Sequence, residues 1–232
     1  MTETEAQRQK EIQQAEELLF TGPQALGFVK GLFQGHFVSD WVMPYPRIAA
    51  AEQPTIDQTL GELRKFLDEH LDAPEIDRQA DIPRDVIDGL GRVGVLGATA
   101  PKEVGGHSFT QMANCRILEE IGRRCASTSV FVNAHHSIGI RALLLFGTHE
   151  QKQRWLPKLS TGEQLGAFAL TEKEAGSDAA NVQMQARPSE DGSHFILNGE
   201  KRYITNAAIA DVLTVMARTP VPGSDNKIAR RR

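Results

Sequence analysis

From Thr55 onward apolar residues return every three or four positions. Ile56, Leu60, Leu63, Leu67 and Leu71 fall on one face of a helix, and Thr55 with Gln58 can form a capping box at its start. A second helix is predicted from Pro83, suited to a first helical position, through Val86, Ile87, Leu90 and Val93 to Gly94. After the loop GATAPKEVGG, Ser108 and Gln111 make another cap signal ahead of Met112, Cys115, Leu118, Ile121 and Cys125. The more apolar stretch from about Ser129 to Phe146 predicts a buried helix that stops at Gly147. Thr148 and Gln151 predict the cap of a last short helix through Trp155 and Leu156, curtailed by Pro157.

After Gly162 the period changes from helix to strand. LGAFAL, NVQMQARP, HFILNG, KRYITN and DVLTVMART are short segments rich in β-branched and aromatic residues, separated by turn residues at Gly176, Asp191-Gly192 and Asn198-Gly199. Asn198-Gly199 is the strongest hairpin signal, because both residues tolerate the positive φ of a type I′ turn. The expected fold class is α+β, with an all-α helical domain over residues 55–164 and an antiparallel β-domain over 165–232. Residues 1–54 form an extension: a polar helical start, then aromatics and glycines in LGFVKGLFQGHFVSDWVMPYPRIAA without a clean period, for which no compact fold is assigned. No internal repeats occur, and the only compositionally biased tract is the terminal Arg230-Arg231-Arg232.

Composition narrows the function classes. The 232 residues are 40% hydrophobic and 24% charged with a net charge of −4, which fits a soluble chain of one large or two small domains. No basic stripe and few aromatics argue against nucleic acid as a partner. Two cysteines, Cys115 and Cys125, lie in a helical pattern, so they are expected as small core residues in a reducing compartment. The N-terminus lacks the pattern of a secretory or transit peptide, so a cytoplasmic location is expected in preference to the mitochondrial matrix. The run Ile138–Phe146 is too short to span a bilayer, and no transmembrane helix is expected.

Two stretches carry candidate chemistry. In ALTEKEAGSDAAN, Thr171 and Ser177 place hydroxyls beside Gly176 directly after an apolar strand. Such a turn can form an anion-binding concavity, or it can be a polar loop whose side chains satisfy only their own backbone. In Tyr203-Ile204-Thr205-Asn206, a flat ring beside a hydroxyl suits a planar heteroaromatic ligand, or is an exposed strand end. His135 and His136 are adjacent, face about 100° apart on a helix, and so cannot share a metal as an i, i+4 pair does; core or groove-lining roles are expected and no metal site is assigned. Arg123-Arg124 and Lys152 with Arg154 are expected on solvated faces or at partner contacts.

Together, FALTEKEAGSDAANVQ and, about twenty residues on, LNGEKRYITNAAIADVLTVMART closely resemble the acyl-CoA dehydrogenase family, as do GVLGATAPKEVGG and LLLFGTHEQKQRWLPKLSTGE upstream. VKGLFQGHFVSDWVMPYP and NAHHSIGIRALLLFGT are most similar to its very-long-chain branch. The resemblance implies a helical N-terminal domain, a middle β-domain that is barrel-like and a C-terminal helical bundle, with FAD held between them. It implies that Phe168, Leu170, Thr171, Gly176 and Ser177 line the FAD, with Thr171 on the pyrimidine side and Ser177 near phosphate or the CoA of the substrate. Tyr203, Ile204 and Thr205 would lie against the isoalloxazine, the Thr205 hydroxyl near the nitrogen that accepts hydride.

Three positions depart from the family pattern: Lys173 stands where proline is common, Asn181 where a small residue is usual, and Tyr203 where Trp is frequent. The family's catalytic glutamate lies in the C-terminal bundle, so no catalytic residue is expected in this chain, and neither Glu172 nor Glu174 is assigned as the base. The implied activity is α,β-desaturation of a fatty acyl-CoA, with electron-transfer flavoprotein as acceptor, a homo-oligomer as the assembly, and peripheral membrane contact through residues 1–50 left open. The chain is expected to be a truncated, frame-shifted or split form, and the alternative to the enzyme is a non-catalytic FAD- or acyl-CoA-binding or dimerisation module.

Overall fold

The computed structural model describes residues 27–219, which divide into two compact units. The predicted polar helical start before residue 27 and the Arg-rich end lie outside the described residues. In the first unit, a short helix α1 (Phe28–Phe33) precedes a single 3₁₀ turn at Ser39–Trp41. The Phe28 ring packs edge-on against Phe37 at 6.3 Å and tilted against Trp41 at 6.4 Å, a small aromatic cluster within the stretch to which the sequence assigned no compact fold.

The second unit begins with helices α2 (Gln53–His70), α3 (Ala73–Gln79), α4 (Arg84–Arg92), α5 (Gln111–Gly122) and α6 (Ala126–Ala134). A π-helical segment, His135–Ile140, joins α6 to α7 (Arg141–Phe146), and α8 (His149–Thr161) follows. Ile56, Leu60, Leu63 and Leu67 of α2 pack with Val86, Ile87 and Leu90 of α4 and Ile117 and Ile121 of α5 into one buried core, as their spacing requires.

Where the caps fall differs from expectation. Helix α2 starts two residues before Thr55, with Pro54 in its first turn and no side-chain cap. Gln58 instead donates to Glu62 at 2.9 Å. Pro83 is the N-cap residue of α4 and not its first helical residue. At α5 the cap is Thr110, whose hydroxyl accepts the Ala113 N–H, while Ser108 lies at φ 54°. The Thr148–Gln151 capping box forms as predicted. Pro157 does not end α8: the helix continues four residues to the left-handed Gly162, forgoing one N–H bond, because Leu156 and Leu159 on either side are buried in a second cluster with Ile140. Helix α3 gave no periodic signal because only Ile76 is buried; Asp72 caps it by accepting the Glu75 N–H.

The run Ala126–Phe146 is helical over 21 residues and, by length and composition alone, apolar enough to cross a membrane, longer than the segment counted from sequence. Phe131, Val132, His135, His136 and Ile140 are buried in the fold, as in a core helix. It is not buried throughout: Val130, Leu145 and Phe146 are exposed. Cys125 is buried but Cys115 is exposed, so only one of the two is a core residue.

Four strands follow: β1 (Gly166–Ala169), β2 (Gln185–Pro188), β3 (Phe195–Asn198) and β4 (Val212–Val215). The order of helical then sheet structure agrees with the expected fold class, but the pairing is mixed. β2 and β3 are antiparallel, whereas β1 pairs with β4 in parallel, Gly166 opposite Val212. The hairpin turn lies at Asp191-Gly192, Gly192 at φ 68°, and Asn198-Gly199 instead ends β3. KRYITN is not a strand: Tyr203 and Asn206 have φ of 55° and 68°, and the segment turns back toward the helices.

Candidate functional site

Strand β1 carries the first candidate stretch, and its start is fixed by the helices. Gly166 and Gly139 of the π segment meet backbone to backbone; a Cβ on Gly139 would sit 3.1 Å from the Gly166 carbonyl carbon. His135 Nδ1 accepts the Gly166 N–H at 3.0 Å and its Nε2–H donates to the Leu159 carbonyl at 2.9 Å, tying β1 to α8. His136 Nε2–H donates to the Val95 carbonyl at 2.6 Å, with Thr99 Oγ1 3.1 Å from Nδ1. Both rings are held neutral: burial and, next, His136 push His135 down to about 4, and burial pushes His136 down. With every ring nitrogen engaged, both are core histidines.

Beyond β1 the chain enters the turn. Phe168, Leu170 and Thr171 are half-buried, and Glu172 is buried. Burial alone would raise the Glu172 carboxyl, but Lys201 and two backbone N–H groups hold it below its ordinary value. Oε1 is 2.7 Å from Lys201 Nζ and accepts the Met184 N–H at 3.0 Å, and Oε2 accepts the Gln183 N–H at 2.5 Å. Glu172 is therefore spent on holding the turn. Glu174 is exposed on the surface with Lys173. Gly176 and Ser177 are exposed; a Cβ on Gly176 would meet nothing within 4 Å, so the fold itself does not demand glycine there.

The second stretch is brought to the first by its own neighbours. Lys201 Nζ donates to the Leu170 carbonyl at 2.9 Å, and the Arg202 N–H to the Thr171 carbonyl at 2.9 Å. Asn206 Nδ2 donates to the Phe131 carbonyl at 3.2 Å, pinning the loop to α6. Ile204 and Thr205 then line a groove of about 720 Å³ with Ile76, Ile82, Val130 and Phe131, and with Asp77 and Asp81 on the same wall. Tyr203, 90% exposed, stands outside it. The groove thus gathers Ile204 and Thr205 against α3 and α6. Phe168, Leu170, Thr171, Gly176 and Ser177 do not line it; Leu170 and Thr171 reach it only through residues 201–202.

Sequence reasoning missed Lys201, which joins the two stretches, and gave no role to Asn206, which pins the second of them to α6. Only the short charged run Glu200-Lys201-Arg202 within NGEKRY offered a signal for Lys201. Arg124, expected on a solvated face, instead bridges Asp68 and the buried Glu120, which also accepts from Arg64 at 2.9 Å.

Two family profiles match the chain: acyl-CoA dehydrogenase, N-terminal domain, over residues 53–163, and acyl-CoA dehydrogenase, middle domain, over residues 167–230. The mitochondrial very long-chain specific acyl-CoA dehydrogenase of Bos taurus is 37% identical over 195 residues, covering 84% of this chain and 30% of that protein. The probable acyl-CoA dehydrogenase FadE10 of Mycobacterium tuberculosis is 39% identical over 207 residues, covering 89% and 32%. The chain thus spans about 30% of the length of the curated relatives it matches. Among solved structures, an acyl-CoA dehydrogenase complexed with FAD from Bacillus anthracis superposes with a TM-score of 0.66 at 36% identity, covering 72% of this chain and 29% of that one. Butyryl-CoA dehydrogenase from Megasphaera elsdenii gives 0.66 at 32% identity, covering 72% and 45%.

Proposed function

The chain belongs to the acyl-CoA dehydrogenase family, and on that premise we propose that it supplies the flavin-facing part of an FAD-dependent dehydrogenase that desaturates a fatty acyl-CoA between its α and β carbons. The observation that carries this reading is the latching of the Leu170–Thr171 and Tyr203–Thr205 segments to each other beside an apolar groove.

The residues present fit a flat, polar-edged group. Among the described residues the hydroxyls of Thr171, Ser177 and Thr205 accept and donate no protein hydrogen bond, Leu170 offers an apolar flank, and the Tyr203 ring is presented to solvent. Open space at Gly176 leaves the backbone approachable by a phosphate. In this reading Phe168 through Ser177 would hold the FAD, with Thr171 toward its pyrimidine edge and Ser177 toward phosphate or CoA. Tyr203, Ile204 and Thr205 would lie against the isoalloxazine. Bound FAD supplies the two-electron acceptor for the hydride that leaves the substrate β-carbon. The Thr205 hydroxyl would donate toward the ring edge that receives it, and Phe131 and Ile82 would form an apolar wall of the adjoining groove. Proton removal from the α-carbon is assigned to no residue of this chain.

An electron-transfer flavoprotein as acceptor, a homo-oligomeric assembly, peripheral membrane contact through residues 1–50 and a cytoplasmic location belong to the same proposal, as does division into residues 1–54, 55–164 and 165–232. The test is spectroscopic. The purified chain is expected to take up FAD with a perturbed visible spectrum, and Thr205→Val to weaken that uptake. No flavin uptake by the wild-type chain refutes the reading, and equal titration curves for the two proteins remove Thr205 from the site. Uptake without bleaching by acyl-CoA leaves the non-catalytic binding module as the function of this polypeptide.

A further inference from the structure

We propose that Lys201 is the positioning residue of this site: its ammonium locks the Leu170–Glu172 turn to the Tyr203–Thr205 loop and thereby sets the direction of the Thr171 N–H. Its side chain is 8% exposed, between the Leu170 carbonyl at 2.9 Å and the Glu172 carboxylate at 2.7 Å. A trans peptide holds its C=O and N–H antiparallel. Drawing the Leu170 oxygen inward onto Lys201 therefore sends the N–H of the same peptide, that of Thr171, the other way. The next residue along, Arg202, donates its N–H to the Thr171 carbonyl, so two consecutive peptides of the turn are fixed by two consecutive residues.

Glu172 extends the lock in the other direction. By accepting the N–H groups of Gln183 and Met184 it anchors the turn to the chain leading into β2. Lys201 therefore sits where three segments meet, one residue pair before the loop whose Ile204 and Thr205 line the groove. The Lys201 ammonium needs this arrangement as much as the arrangement needs it, because a buried charge without a partner is costly, whereas a charge-assisted donor shared by a carboxylate and a carbonyl is well satisfied. A lysine is suited to the place: three donors radiate from one point and reach two acceptors on different peptides, which a planar guanidinium on a longer stem does less well.

The inference rests on the proposed flavin-facing role of these segments, but its first test needs no flavin. Amide hydrogen exchange is followed in the full 232-residue chain for wild type, Lys201→Met and the double variant Lys201→Met with Glu172→Gln, which leaves no unpaired charge. The expected result is exchange at least about tenfold faster in peptides covering 168–176, 183–184 and 202–209, with α5 and α2 peptides unchanged, since local opening is separable from global unfolding. Unchanged protection of those peptides in either variant overturns the proposal. So does acceleration shared equally by α5, or failure of both variants to fold, since each assigns Lys201 to general stability alone. In the second test FAD is titrated into each protein: about tenfold weaker uptake and an altered visible band in Lys201→Met are expected, while equal uptake overturns the positioning role. If the wild-type chain takes up no FAD, the proposed function fails, and the exchange measurement still decides whether the lock exists.

Discussion

Acid should loosen the junction between the helices and β1 through His135. In the folded chain this ring is fully buried and is held neutral, with a pKa lowered to about 4 from 6.5. Its Nδ1 is needed as the acceptor of the Gly166 N–H, so protonation breaks that bond as well as burying a charge next to His136, whose ring centroid is 6.0 Å away. Between pH 6.5 and 4 the unfolded chain binds a proton at this position that the folded chain does not. The stability contribution is thus complete above pH 6.5 and is lost as pH falls toward 4, at about 1.4 kcal/mol per pH unit and ~3 kcal/mol in all. His136, shifted in the same direction, adds to the slope. The assay is urea unfolding followed by far-UV circular dichroism at pH steps from 7.5 to 5. His135→Gln, whose amide can keep the Leu159 contact but has no proton to gain, serves as reference. It should cost about 1–3 kcal/mol at pH 7.5 through the orphaned Gly166 N–H and show a shallower loss on acidification. Carboxylates such as Glu120 and Glu172 titrate in both proteins, so the difference in slope isolates the histidine. Equal slopes, or a His135 imidazole resonance titrating near 6.5 in the folded wild type, would refute the reasoning.

Two further outcomes follow from contacts elsewhere in the fold. Gly139→Val places a branched side chain where a Cβ alone is 3.1 Å from the Gly166 backbone, and should lower the urea midpoint by the equivalent of about 1–3 kcal/mol, with Gly122→Ala, whose neighbours stand at 3.5 Å, as the milder control. Glu120→Ala removes a buried carboxylate that burial alone would raise but that Arg124 and Arg64 hold in the charged form; because both arginines keep access to water, the cost at neutral pH should be about 1–2 kcal/mol and should shrink below pH 4, measured by the same unfolding curves.

What was legible in the sequence divides along the range of the interactions concerned. The helical core was, because Ile56, Leu60, Leu63 and Leu67 repeat with the helix period and burial follows directly from that repeat. Caps were harder: Ser108 and Thr110 both precede α5 with a suitable hydroxyl, and the choice fell to Thr110 because Glu52, 58 positions away, accepts both its N–H and its hydroxyl. The turn at Asp191-Gly192 and the antiparallel pairing of β2 with β3 were legible, but the partner of β1 was not. The alternation in LGAFAL specifies a strand but no neighbour, and the parallel pairing with Val212–Val215 is selected by Asp211, which accepts the Leu165 N–H at 2.9 Å and returns its own N–H to the Leu165 carbonyl. The candidate site shows the same division: Thr171 and Thr205 stand out locally as hydroxyls beside turns, whereas Lys201 is one charge among several in NGEKRY. Its meaning comes from the Leu170 carbonyl and Glu172, roughly thirty positions earlier, which the turn after β1 delivers to it. Residues that touch a ligand can declare themselves by type and neighbourhood; a residue that orients them is defined by what the fold carries to its side chain.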